Sequence, residues 1–311
     1  CFSIRFVTPS RLLCENVVLE LWPVTKLSPA MRKVKLPGGE NVPVLGLGTW
    51  FLGESSSKFE QEVSAVRYAL ERGIRLIDTA EMYANGGAEE VVGAAIKDLD
   101  LIKREEIFIV SKVLPNNAHF EGVIQACNRS LRRLGVASIG LYLLHWRGSV
   151  PLQETLHAFQ VLQSSGKIRN FGVSNFDSRD MEEWYKCEGG GALATNQILY
   201  NLSRRGPEWD IIPLCKTRGV PVMAYSPLEQ GRLHNFPALA ELAERHGVTP
   251  LQVALAWVLA QENVVTIPKA VKHQHIDQNI AALEITLGAE DYDLLDAAFP
   301  PPNGPSQLEI L

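Results

Sequence analysis

The stretch GIRLIDTAEMY, residues 73–83, delivers a carboxylate at Asp78 and, five residues later, a phenol at Tyr83. Leu76 and Ile77 precede them as a short apolar strand after a helix-like run over 60–72. An acid at a strand's end followed by a tyrosine on the next turn outlines acid–base chemistry, although an aspartate there also serves as a cap or turn residue. A lysine, Lys112, follows the apolar run Ile109-Val110-Ser111. Its charge is costly in such a setting unless partnered, and Asp78 is the candidate partner. A free phenol has a pKa of about 10, too high for efficient proton transfer near neutrality. An ammonium held nearby is expected to lower that value, with Asp78 keeping Lys112 charged and aimed. Tyr83 then becomes a general acid, a role worth on the order of 10²–10⁴ in rate. His145, neutral, can donate a hydrogen bond to a carbonyl oxygen and orient it.

These residues need elements to carry them. Apolar strands are expected at about 44–49, 74–78, 107–112, 139–144, 170–174, 193–197, 221–225 and 264–267. Between them the spacing predicts amphipathic helices at 58–72, 87–98, 121–134, 152–165, 178–187, 208–218, 249–262 and 273–283. In the first helix Val63, Val66, Ala69 and Leu70 fall on one face with charges between them. Thr249 can cap a helix whose first turn takes Pro250. Two extra helices are expected, at 237–246 and 290–298. Strand–helix alternation without a long linker favours an α/β fold of the closed (β/α)8, or TIM-barrel, type over an open doubly wound sheet. Residues 31–43, with a PGGE turn, read as a β-hairpin leading into the first barrel strand and plugging the barrel bottom. Residues 1–30 begin at Cys1, carry broken apolar clusters and precede the first methionine, Met31. They are expected to form a disordered extension outside a single barrel domain over 31–311.

In such barrels chemistry gathers at the C-terminal strand ends. The polar residues of these apolar strands fall there: Asp78, Lys112, His145 with Trp146, Ser174-Asn175, Asn196-Gln197, Tyr225-Ser226 and Lys269.

Composition narrows the function classes. A formal net charge of −5 and the absence of a basic run argue against nucleic-acid or anionic-membrane partners. The five cysteines are scattered and free of CxxC spacing, which argues against a disulfide framework or zinc site and suits a cytoplasmic protein. No apolar run reaches the length of a membrane span. Gly46-Leu47-Gly48 is not a dinucleotide fingerprint, because Phe51 stands where a third glycine belongs. Gly189-Gly190-Gly191, between a helix and a strand, reads as a flexible loop. A metal-dependent barrel would need several His or carboxylate ligands on different strands; only Asp78 and His145 qualify, with Lys112 between them. No metal is expected.

The text GLGTW, RLIDTAEMY with NGGAEEVVG, IVSKV, LYLLHW, GKIRNFGVSNF, ATNQILYN, PVMAYSPL and TIPKA resembles the aldo-keto reductases over about residues 33–300. The closest texture is that of bacterial members reducing methylglyoxal and keto sugar acids. The resemblance implies NADPH-dependent reduction of small aldehydes and ketones, with NADH as a second cofactor. It implies a catalytic tetrad at Asp78, Tyr83, Lys112 and His145, with Tyr83 as proton donor. It assigns the nicotinamide carboxamide to Ser174, Asn175 and Gln197, and ring stacking to Tyr225. Ser226, Leu228 and Gly231 would meet the pyrophosphate, and Lys269, His275, Gln278 and Asn279 the adenosine end. Trp50, Trp146 and Tyr200 would wall the substrate pocket. The chain departs from the family pattern at Ala270 and His275, where serine and arginine commonly bind the 2′-phosphate. Arg147-Gly148 stands where many relatives have proline after the tryptophan. A monomer acting on a small carbonyl is expected; the alternatives are a non-catalytic cofactor-binding sensor on the same scaffold and a metal-dependent hydrolase.

Overall fold

The computed structural model describes residues 31–311; the extension expected at 1–30 lies outside them. A hairpin of β1 (Lys33–Lys35) and β2 (Asn41–Pro43) comes first, paired antiparallel with Val34 opposite Val42. Its turn carries Glu40, which takes Asn170 Nδ2 at 2.7 Å and pairs with Arg169 at 3.0 Å. Both partners lie near the N-terminal end of a barrel strand, so the hairpin covers the barrel bottom.

Eight parallel strands follow: β3 (Leu47–Gly48), β4 (Leu76–Asp78), β5 (Phe108–Val113), β6 (Ile139–Leu144), β7 (Ile168–Ser174), β8 (Asn196–Leu199), β9 (Val222–Tyr225) and β10 (Val264–Thr266). Each pairs with its sequence neighbour. The first and last are joined by parallel bridges from Leu45 to Thr266 and from Gly48 to Lys269, so the sheet meets itself. Intervening helices are α1 (Phe59–Glu71), α2 (Gly87–Ile96), α3 (Leu101–Glu105), α4 (Phe120–Leu134), α5 (Leu152–Ser164), α6 (Ser178–Lys186), α7 (Ile211–Thr217), α8 (Pro237–His246), α9 (Pro250–Ala260), α10 (His273–Ala281) and α11 (Ala289–Ala298). This is the expected (β/α)8 barrel, with α8 and α11 as the extra helices. Strands β5 and β6 are buried at every position, as parallel strands covered on both faces must be.

The caps explain several boundaries. Thr249 and Gln252 form a reciprocal capping box at the start of α9, with Pro250 in its first turn. The helix expected over 87–98 stops at Ile96, and α3, which the sequence spacing did not suggest, follows Asp100, whose carboxylate accepts the Lys103 N–H at 2.8 Å. The helix expected from 208 starts at Ile211 because Gly206–Glu208 forms a separate 3-10 turn around Pro207. The strand expected at 193–197 lies at 196–199, after a 3-10 turn over Gly190–Ala192. The triple-glycine run is therefore turn backbone; a Cβ on Gly190 would sit 2.2 Å from the Trp184 carbonyl oxygen.

Candidate active site

Asp78 is the last residue of β4, and Lys112 lies one position before the end of neighbouring β5. Lys112 is fully buried, and its ammonium donates to both Asp78 carboxylate oxygens, at 2.9 and 2.8 Å, and to the Thr79 carbonyl at 2.9 Å. The Tyr83 hydroxyl is 3.2 Å away. Gln197, reaching in from β8, donates to Asp78 Oδ1 at 2.7 Å. The carboxylate is thus held by an ammonium and an amide, and the ammonium by oxygen on every side. Burial pulls the Lys112 pKa below its usual value, opposed by Asp78.

Burial pushes the Tyr83 phenol well above its ordinary value, and the Asp78 charge adds to that rise. This corrects the expectation that Lys112 lowers it. Loss of solvent decides the direction, even with the ammonium 3.2 Å away. Tyr83 is accordingly a protonated phenol across the neutral range. His145 follows β6, with its ring 5.8 Å from that of Tyr83, edge to face. Burial, reinforced by Lys112, holds His145 well below the usual histidine pKa, so it is neutral as expected. Its Nδ1 has no hydrogen-bond partner among the described residues.

These groups open into a cavity of about 690 Å³. From Asp78, Tyr83 and His145 it passes Ser174, Asn175 and Gln197, then the wall formed by Tyr225, Ser226, Leu228 and Gly231, and reaches Lys269, His275, Gln278 and Asn279. The sequence assigned all of these to one site, and the fold brings them to one trough. Asn175 sits in the left-handed region (φ 56°), where its amide donates to the His145 carbonyl at 3.1 Å and accepts from the Tyr225 hydroxyl at 2.9 Å. Tyr225 is thereby fixed with its ring as a wall. Gly231 (φ 85°) leaves open space where a side chain would project.

The aldo/keto reductase family model matches residues 44–299. The chain belongs to the aldo/keto reductase family. Methylglyoxal reductase YeaE of Escherichia coli (strain K12) is 46% identical over 285 residues, covering 90% of this chain and 99% of that protein. Glyoxal reductase of Bacillus subtilis (strain 168) is 38% identical over 85% of this chain and 91% of its own length. An aldo/keto reductase from Klebsiella pneumoniae, solved in complex with NADP and acetate, superposes with a TM-score of 0.87 at 44% identity, over 90% of this chain and all of that one.

Within this aldo/keto reductase three expected pocket walls fare differently. Trp50 lines the cavity. Trp146 does not; its half-buried ring packs 5.0 Å from that of His145 and backs it. Tyr200 is corrected outright. It is buried, donates from its hydroxyl to Glu208 at 2.9 Å, packs on Trp257 and borders a separate cavity of about 140 Å³ with Cys215 and Val222. Alternation is the reason: Gln197 on β8 faces the trough, so Tyr200, three residues on and just past the strand's end, falls to the opposite face. Sequence reasoning also missed Phe51 and Met82, exposed apolar residues at the cavity mouth beside Trp50 and Tyr83. Their adjacency to those two residues was the available signal.

The trough fits a nicotinamide dinucleotide. It has a flat aromatic wall at Tyr225, amide and hydroxyl groups beside it, open space over Gly231, and a lysine at the far end. Among the described residues no cluster of three or more potential metal ligands occurs, and no helix is long and apolar enough to cross a membrane. This aldo/keto reductase is an oxidoreductase of the NADP(H)-dependent, carbonyl-reducing class to which its relatives belong.

Proposed function

We propose that the chain reduces small aldehydes and ketones, methylglyoxal and keto sugar acids among them, to alcohols with NADPH. The observation that carries this is a buried ammonium 3.2 Å from a protonated phenol and bound on its other sides by Asp78 and the Thr79 carbonyl. Ser174, Asn175, Gln197, Tyr225, Ser226, Leu228, Gly231, Lys269, His275, Gln278 and Asn279 would hold NADPH along the trough, and the cofactor, when bound, would supply the hydride for the carbonyl carbon.

The remaining groups divide the work. Neutral His145 faces the cavity and orients the carbonyl oxygen by a hydrogen bond. Tyr83 transfers its phenolic proton to that oxygen as negative charge develops there, so the product is an alcohol and Tyr83 is left as phenolate. Lys112 stabilises the phenolate until solvent reprotonates it. Asp78 acts only through Lys112, and Gln197 and Thr79 fix the pair. Lys269 supplies charge for the 2′-phosphate without the usual serine and arginine, so NADPH is preferred and NADH accepted. The protein works as a cytoplasmic monomer.

Tyr83→Phe is expected to lower kcat by about 10²–10⁴, the worth of a general acid, while NADPH affinity by fluorescence titration stays within about twofold, since Tyr83 is not assigned to cofactor binding. An unchanged kcat on methylglyoxal would overturn the mechanism. Tight NADPH binding by the unaltered protein with no turnover on a broad aldehyde panel would favour a sensor.

A further inference from the structure

Residues 226–235 cross one side of the trough, and their backbone is strained. Ser226, Glu229 and Gln230 all have positive φ (48°, 47° and 55°) without being glycine, and Gly231 continues the run at 85°. Such conformations persist where the surroundings over-determine them. Ser226, Leu228, Gln230 and Gly231 line the cavity, whereas the Glu229 side chain is absent from its lining and points the other way. There Asn201 Nδ2 donates to Glu229 at 2.8 Å and also to the Ser226 carbonyl at 2.9 Å. Arg204 donates to Glu229 through Nε and Nη2, at 3.2 and 2.9 Å, and Arg232 adds a contact at 2.7 Å. The Glu229 side chain is 5% exposed. Burial alone would raise its pKa, but the donors from Arg204, Arg232 and Asn201 outweigh it and keep the carboxylate ionised.

Arg204 has a second carboxylate. Its Nη1 pairs with Glu309 in the C-terminal segment. Two residues on, the Leu311 N–H donates to the Tyr225 hydroxyl at 3.4 Å, and Leu311 borders the cavity. The C-terminal segment thus touches Tyr225 directly and loop 226–235 through Arg204 and Glu229.

We propose that Arg204 is a positioning residue which, by bridging Glu229 and Glu309, clasps loop 226–235 to the C-terminal segment and holds the loop against the cofactor phosphates. The inference rests on the trough being the NADPH site proposed above. The two ends of the clasp differ in strength. Arg204–Glu309 is a partly exposed pair, with side chains 31% and 54% exposed, and such pairs contribute little. Arg204–Glu229 involves a buried carboxylate, and removing one partner of such a pair is costly. The effects should therefore be graded.

The test measures NADPH affinity and dissociation rate by fluorescence, single-turnover reduction at saturating NADPH, and amide hydrogen exchange over 226–235 in the protein without cofactor. Arg204→Met is expected to raise the NADPH Kd and off-rate about tenfold, less than the full cost of removing a buried pair's partner because the loop is one of several holds on the cofactor, and to speed exchange in the loop. Glu309→Gln is expected to raise Kd about twofold, and Arg204→Lys to recover part of the loss, because a point charge cannot grip two carboxylates as a guanidinium does. The single-turnover rate should remain near that of the unaltered protein in all three. Unchanged affinity and unchanged loop exchange in a folded Arg204→Met protein would overturn the clasp. So would a single-turnover rate that fell in step with affinity. Failure of the unaltered protein to bind NADPH would count against the proposed function instead, and the loop-exchange comparison would still decide the clasp.

Discussion

Lys112 and Tyr83 were legible because their types conflict with their surroundings. A lysine inside an apolar strand demands an oxygen partner, and Asp78 at the end of the neighbouring strand supplies it at 2.8 Å. The titration of Tyr83 was not legible, since it depends on how completely the fold removes water and on how close it sets the Asp78 charge. Tyr200 shows a different limit: with Gln197 facing the trough, alternation sends Tyr200 to the other face, and the two residues cannot both line one pocket wall. His145 carries a prediction at this scale. Its pKa in the folded chain lies well below the ordinary value, so between the two values the unfolded chain binds a proton that the folded chain does not. Stability is complete above the unfolded value of about 6.5 and falls as pH drops below it, by up to ~1.4 kcal/mol per pH unit for one proton. His145→Gln should remove that part of the slope. Melting temperatures at pH 5.0 and 7.5 in both proteins would check it, and identical pH dependence would count against it.

At the scale of elements, the turn carrying Tyr83 is the informative one. Ala84, Asn85 and Gly86 have φ of 50°, 54° and 96°, three left-handed residues in succession. Asn85-Gly86 is a turn signal in sequence, but nothing about Ala84 foretells this geometry. What holds it lies elsewhere in the chain. Arg133 on α4 packs against Gly86 and donates to Glu89 on α2 at 2.6 Å, and Glu89 accepts from Ser111, beside Lys112, at 2.5 Å. A Cβ on Gly86 would sit 2.4 Å from Arg133 Nε. Gly86→Ala is expected to cost about 1–3 kcal/mol through the strained φ and to lower kcat more than it raises KM for the carbonyl, because the displaced group is the turn that carries Tyr83. Denaturant unfolding and steady-state kinetics would show both effects; a variant with unaltered stability would refute the account. The capping of α9, by contrast, was plain from Thr249-Pro250.

At the scale of the whole molecule, repetition was the legible feature and closure was not. Each strand–helix unit announces itself locally, but the seam joins residues more than two hundred positions apart, where the Gly46 N–H donates to the Thr266 carbonyl at 2.8 Å and Gly48 to that of Pro268 at 3.1 Å. A Cβ on Gly48 would lie 2.6 Å from the Ile267 carbonyl oxygen, so the glycines of GLGTW serve close strand approach. Gly48→Val is expected to strain the seam by about 1–3 kcal/mol, as overpacking does, and to lower Tm by several degrees, at roughly 2–4 °C per kcal/mol for a chain approaching this size. A Tm within a degree of the parent's would argue that the seam yields without cost.

The hydrogen bonding around Lys112 also bears on how the protein would tolerate a reactive carbonyl of the kind proposed above. A reactive aldehyde brought to Tyr83 comes close to a primary amine, and a free amine condenses with aldehydes. Condensation requires the nitrogen lone pair. Here the three ammonium protons face four oxygens, two from Asp78, one from Thr79 and one from Tyr83, so the nitrogen offers no electron pair to the incoming carbonyl. The arrangement proposed for proton transfer would thus also guard the amine against covalent poisoning by a carbonyl bound beside it.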